Sequence, residues 1–305
     1  MTTAAEKRVL VTGAAGYIAQ INLPALEERY DLTLIDTREH TATGKPVPGI
    51  QRYDLLADMQ GGYHPSERLR ALVREVDAIF HCAYVQSDHW APDGYEQERL
   101  NVDMAAFIFR LAWEEGVRRI VCCSSNHAAD WYEKLLRSNQ LEHLGPEAPP
   151  YSDNWYGWAK IAIEQIGFLY ASGLYGRPIE TVMLRIGAPR LIDASRFAGN
   201  PAGYRRDLGA WISDRDFQQL VIKSLETPDV RNEWGVPFQI FYGISNNTRA
   251  FWSIANARRI AGYTPQDDSE VQFADDIRRL LIETSEGGRL SSTSGPPAAS
   301  TRWIP

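Results

Sequence analysis

Cysteine is scarce: Cys82, Cys122 and Cys123 are the whole supply in 305 residues. Three thiols cannot build a disulfide framework, and so few in a long chain point to a reducing compartment and buried thiols. Excess positive charge is missing too. Thirty-two basic residues face 39 acidic ones, a net charge of −7, and no basic block is interleaved with aromatics. This disfavours non-specific nucleic-acid binding. No apolar run reaches the roughly 18 residues of a membrane helix. The opening MTTAAEKRVLVTG does not read as a signal peptide. A cytoplasmic protein is expected, with neither nucleic acid nor membrane as partner. Ser125 and His127 invite a hydrolase reading, but no Gly-x-Ser-x-Gly elbow surrounds them. The neighbouring Cys and His belong to no spaced ligand set, so no metal is expected.

What is present is an alternation. Short, continuously apolar runs occur at Arg8–Thr12, Leu32–Ile35, Ala78–His81, Ile120–Cys123, Thr181–Arg185 and Phe238–Tyr242. Buried parallel strands have this character. Helix-compatible stretches separate them: around Leu26, then Ser66–Glu75, Glu96–Glu115, Tyr156–Ser172, Ser213–Leu225 and Ala250–Gly262. The alternation predicts an α/β fold, a parallel sheet covered on both faces. Pro24 falls inside the first helix, where an interior proline costs about 3 kcal/mol, so a kink or restart is expected there. Residues 188–207 read as irregular, and the Gly/Ser/Pro-rich end reads as a mobile tail.

The first strand leads into Thr12-Gly13-Ala14-Ala15-Gly16-Tyr17-Ile18-Ala19. A glycine turn between strand and helix lets backbone approach a pyrophosphate, and the helix start offers unpaired N–H groups to it. Asp36 closes the second strand 20 positions after Gly16, the place of a carboxylate that bonds adenosine ribose hydroxyls. A carboxylate there repels a 2′-phosphate, which favours NAD over NADP. Arg38 is the feature that argues the other way. A glycine turn used only for packing is the plainer alternative, and the combination with Asp36 weighs against it.

Downstream, Tyr156-Gly157-Trp158-Ala159-Lys160 places a tyrosine and a lysine four apart on one helix face. Alone, such a pair is as readily a surface feature. Joined to TGAAGYIA it resembles the extended short-chain dehydrogenase/reductase (NAD-dependent epimerase/dehydratase) family over most of residues 8–285. The resemblance implies a Rossmann-type doubly wound sheet with a small C-terminal substrate-binding lobe. Residues 1–187 would form the NAD-binding domain and 188–285 the lobe, with strand 238–242 returning to the main sheet and 286–305 a flexible tail. It implies NAD along Gly13, Ala15, Gly16, Tyr17 and Ile18, with Asp36 at the ribose and Asp54 and Leu55 near the adenine. His81, Ala83, Asn101 and Ile186 are expected beside the cofactor as well. Tyr156, Lys160 and Ser125 would be catalytic. A free phenol titrates near 10, so a cation beside it helps it act as a base. Tyr156 would take a hydroxyl proton, Ser125 would hold the same oxygen, and Lys160 would also bond the nicotinamide ribose.

The substrate is narrowed by smaller words. The glycine-aspartate-glycine turn common in nucleotide-sugar enzymes of the family is missing, so a large nucleotide pocket is not expected. SSNH at 124–127, LRIG at 184–187, YRRDLGAW at 204–211 and YGISNN followed by FW at 242–252 resemble the NAD-dependent uronate dehydrogenases. These oxidise a cyclic uronic acid at C1 to a lactone. The resemblance places Gln86, Ser125, Asn126, His127, Tyr156, Ala188 and Arg206 against the sugar, with Arg206 gripping its carboxylate through a bidentate fork. Gln86 and Ala188 stand where serines are expected. Other sugar acids, neutral aldoses, sugar phosphates, an epimerase or dehydratase that retains NAD, and a non-catalytic NAD-binding regulator are the alternatives. A homodimer or a multiple of it, pairing through the helices near 96–115 and 156–172, is also implied.

Overall fold

A computed structural model of the chain describes residues 7–60, 62–86, 91, 93–138 and 140–283. The expected tail, 286–305, lies outside them. Strand β1 (Arg8–Thr12) is followed by α1 (Tyr17–Glu27), β2 (Asp31–Asp36), β3 (Ile50–Arg52), α2 (Leu55–Asp58), α3 (Glu67–Arg74) and β4 (Ala78–His81). Next come α4 (Gly94–Glu114), β5 (Arg119–Ser125), a 3-10 turn (Asn126–Tyr132), α5 (Glu133–Arg137), α6 (Trp155–Ala171) and β6 (Glu180–Ile186). Then α7 (Pro201–Ala210), α8 (Asp214–Glu226), β7 (Phe238–Gly243) and α9 (Ala255–Ala261) follow, with short turns to residue 283.

The seven strands form one parallel sheet in the order β3-β2-β1-β4-β5-β6-β7. The order reverses between β1 and β4, and such a switch point opens a crevice at the carboxyl ends of the strands. The apolar runs are continuous because both faces are buried. Val9, Val11, Val121 and Leu184 face the layer that holds Phe217 and Leu220 of α8. Their neighbours Leu10, Ile120 and Met183 face the layer that holds Ile108 and Phe109 of α4 and Ile163 of α6. Gly167 lets α6 lie close, since a Cβ there would sit 2.1 Å from Met183 Cε.

Several expectations are corrected. Helix α1 runs through Pro24 without a break. The missing Pro24 N–H costs one bond, while Leu23 and Leu26 on either side are buried and hold the helix to the sheet. Residues 201–210, inside the stretch read as irregular, are helix α7. Asn200 caps it by accepting from Gly203 N, and Pro201 opens it. The helix expected from Ala250 starts only at Ala255, because Trp252 pairs with Leu144 in an isolated bridge. It ends, as its glycine indicates, with Gly262 at φ 66°. β3 was not expected at all. Of the three thiols only Cys122 is fully buried, while Cys82 and Cys123 are partly exposed.

Candidate active site

The carboxyl ends of β1, β2, β4, β5 and β6 carry Thr12, Asp36, His81, Ser125 and Ile186 to one edge of the sheet. The glycine turn starts there. Gly13 has φ 69°, and a Cβ on it would lie 2.7 Å from Ala83 backbone, so glycine answers both to handedness and to the approach of the β4 loop. Asp36 is largely buried and ties two segments together. One oxygen accepts from Ala15 N at 3.0 Å, the other from Arg38 N at 2.9 Å. Helix α1 begins at Gly16 with no side-chain cap and no acid in its first turn. Gly16 N donates to Gly13 O, and the first helical amides beyond it have no side-chain cap, the kind of helix start that an anion such as a pyrophosphate occupies. These residues fit a dinucleotide.

The other cofactor-side positions are mostly engaged in holding loops. Tyr17 donates its hydroxyl to Pro189 O, and Ile18 packs partly buried against the core. Asp54 follows β3 and caps α2 by accepting from Leu56 N and Ala57 N, with Leu55 buried beside it. Asn101 grips the backbone of Val85 at both N–H and C=O, at 2.7 and 2.9 Å. It thereby shapes the loop that carries Ala83. His81 meets Thr12 Oγ1 through Nδ1 at 2.7 Å. Burial, with Lys160 adding to it, pushes its pKa down to about 3, so His81 is neutral at working pH.

Lys160 lies against Tyr156, and Tyr156 and Ser125 both touch His127. Ser125 caps the 3-10 turn by accepting from His127 N at 3.3 Å. Tyr156 lies in the first turn of α6, which Asn154 caps by accepting from Gly157 N at 2.8 Å. Gly157 cannot be larger, because a Cβ would stand 2.1 Å from His127 O. That contact is what presses Tyr156 onto the turn: its ring meets His127 edge-on at 5.3 Å and Tyr84 at 5.4 Å. Lys160, one helical turn on and 5% exposed, donates to Cys123 O at 2.9 Å. Its ammonium lies 4.5 Å from the centre of Tyr84 and 5.4 Å from that of Tyr156. Behind them Ser124 donates to Glu164, which is paired to Arg185 at 2.8 Å with both side chains 1% exposed.

The expected sugar side is distributed unevenly. His127 Nδ1 is held by Asp130, and Asn154 Nδ2 donates to the same Asp130 oxygen at 2.9 Å. Burial alone would raise the Asp130 carboxyl, but His127, Arg206 and Asn154 outweigh it and hold it below the ordinary carboxylate range. Asn126 is buried and, with its amide turned so that nitrogen donates to Ile186 O, accepts from Arg206. Arg206 is engaged further by Glu133 and Asp207. Burial would lower its pKa, and those carboxylates, with Asp130, raise it instead. Ala188 is buried, its N–H donating to Ala210 O and its C=O accepting from Ile212 N. Gln86 is exposed at the end of the β4 loop. Asp130 Oδ1 and Trp252 Nε1 are buried without partners, an acceptor and a donor bordering this cluster.

Sequence reasoning passed over Asp130, Glu133, Asn154 and the pair Tyr84–Glu98. Tyr84 donates to Glu98 at 2.5 Å, and Glu98 is wholly buried. A signal existed for one of them: Glu98 lies three before Asn101 on the buried face of α4, and a charge there is out of pattern. Asp130 and Glu133 gave none. Among the described residues no group of three or more His, Cys, Asp or Glu could hold a metal ion. No described helix is long and apolar enough to cross a membrane.

Comparisons with known proteins bear on the family and the fold. The family model "NAD dependent epimerase/dehydratase family" matches residues 9–186. A uronate dehydrogenase of Pseudomonas putida is 32% identical over 272 residues, covering 88% of each chain. An NAD-dependent glucose-6-phosphate dehydrogenase of Haloferax volcanii is 30% identical, covering 87% of this chain and 95% of that one. Among solved structures, a mutated uronate dehydrogenase superposes with a TM-score of 0.68 at 28% identity, over 91% of this chain and 87% of that one.

Proposed function

The chain belongs to the NAD-dependent epimerase/dehydratase family, and from that premise we propose that it oxidises a cyclic sugar at C1 to a lactone. NAD is its cofactor, and Tyr156 is the base. One observation supports this reading: Lys160 lies against the Tyr156 ring, Tyr156 and Ser125 both touch His127, and Ser125 ends a strand at the sheet edge where the glycine turn and Asp36 also lie. When bound, NAD supplies the hydride acceptor.

The remaining work falls to the chain. Gly13, Ala15, Gly16, Tyr17 and Ile18 would hold the pyrophosphate end, and Asp36 the adenosine ribose. Tyr156 takes the proton of the C1 hydroxyl as the C1–H bond is broken. Ser125, whose oxygen already accepts from His127 N, still has its own O–H to donate to the substrate oxygen. The Lys160 ammonium, buried against the Tyr84 and Tyr156 rings, supports negative charge on the Tyr156 oxygen. His127, its Nδ1 fixed by Asp130, presents Nε2 to the guest and serves as a binder.

The resemblance alone implies a uronic acid, with Arg206 aligned to a carboxylate-reading arginine, but Glu133 already holds Arg206, and this supports a neutral aldose as the substrate class. NADH formation from a panel of uronates, aldoses and sugar phosphates tests the reaction itself. An epimerase that keeps its hydride gives no net NADH, and that result would overturn the proposal.

A further inference from the structure

Arg206 projects from α7 into a cluster in which all three guanidinium nitrogens already have acceptors. Nε and one Nη both donate to Glu133 Oε1, at 2.8 and 2.7 Å. The other Nη reaches Asp207 Oδ1 at 3.3 Å. Asn126 accepts from the same group, and the Trp252 ring lies 5.3 Å from the guanidinium carbon. The Nε/Nη edge is the fork that a planar carboxylate engages side-on. Here that edge faces a carboxylate belonging to the protein. The pair is well removed from water, with side chains 12% and 11% exposed for Arg206 and Glu133.

The guanidiniums of this cluster already have carboxylate partners without a guest. Arg206 and Arg190 face Glu133 and Asp207, with Arg190 bonded to Asp207 at 3.0 Å, and His127 faces Asp130. A substrate carboxylate entering here must expel Glu133 or share one arginine with it. Either course leaves a negative charge in a desolvated place without a cation of its own, the costly arrangement for buried charge. A sugar that carries a hydroxymethyl group or hydrogen at that carbon brings no such charge.

We propose that Glu133 is a resident carboxylate, standing where the carboxylate of an acid sugar would bind, and that it makes this pocket select neutral aldoses over the corresponding uronates. The proposal rests on the reading of the pocket as a sugar C1 site. Within that reading it assigns the substrate class to a residue 73 positions away from the arginine it neutralises. The same arginine that marks the resemblance to uronate enzymes then serves here to hold Asn126 and the 3-10 turn in place.

The test uses enzyme loaded with NADH, which binds an aldose without turning it over. Dissociation constants of D-galactose and D-galacturonate are measured by calorimetry for the wild-type protein and for Glu133→Gln, an isosteric change that keeps an acceptor for Arg206. The wild-type protein is expected to prefer galactose by about tenfold or more, and the variant to shift that ratio towards galacturonate by about tenfold, or ~1.4 kcal/mol. Tighter binding of galacturonate by the wild-type protein, or a ratio that Glu133→Gln leaves unmoved, overturns the proposal. The wild-type comparison stands whether or not the variant folds. If the wild-type protein oxidises sugars while the ratio fails, this inference alone falls. If no sugar binds and none yields NADH, the C1-oxidation reading falls with it.

Discussion

Tyr156, Asp36 and His81 show how much of the site single residues announce. The first two declared themselves by spacing, Tyr156 through Lys160 one turn on and Asp36 through its distance from Gly16. Local sequence carries such signals because one helix or one βαβ unit brings the residues together. Arg206 was marked by its flanking words, but its partner was not, since Glu133 comes from a stretch with no motif and meets Arg206 only in three dimensions. His81 yields a pH prediction. The folded chain holds it at about 3 by burial, whereas the unfolded chain protonates near 6.5. The unfolded state therefore binds the extra proton between those values. Stability from this group is complete above about 6.5 and falls as pH drops towards about 3, by up to about 1.4 kcal/mol per unit. Urea unfolding across that window is expected to give a shallower pH slope for His81→Asn than for the wild-type protein. An unchanged slope would show that His81 does not titrate in this way.

Elements were legible where their periodicity was long and apolar, and illegible where packing or caps decided. β3 is three residues, Ile-Gln-Arg, half-exposed at the sheet edge, so no apolar run marks it. α7 is rich in Gly and Arg, and the Asn200-Pro201 start that would have shown it was outweighed by composition. α1 does not restart at Pro24, because a propensity penalty of a few kcal/mol yields to a buried helix face. Between α6 and β6 the structure adds what pattern cannot give, the Glu164–Arg185 pair behind Ser124. Removing one partner leaves a buried charge alone. Glu164→Gln is expected to lower unfolding free energy by about 3–5 kcal/mol, measured by chemical denaturation. A loss below about 1 kcal/mol would mean that the pair is hydrated or dispensable.

At the scale of the whole molecule, the strand and helix alternation was enough to foresee a parallel sheet covered on both faces, while its switch point came only with the strand order. Assembly was inferred only from resemblance. We propose pairing through the outer faces of α4 and α6, which expose Tyr95 and Leu169. Sedimentation equilibrium is expected to return at least twice the chain mass of 34.4 kDa, and a mass equal to one chain would contradict it. The central claim concerns the reaction. NADH formation is to be followed with NAD and a panel of aldoses, uronates and sugar phosphates, for the wild-type protein and for Tyr156→Phe. The account predicts net NADH and a lactone product from at least one sugar. It also predicts turnover reduced by about a hundredfold or more in the variant, with NAD binding close to that of the wild-type protein. NADH from none of these sugars, or a Tyr156→Phe variant that keeps most of its turnover, would contradict it.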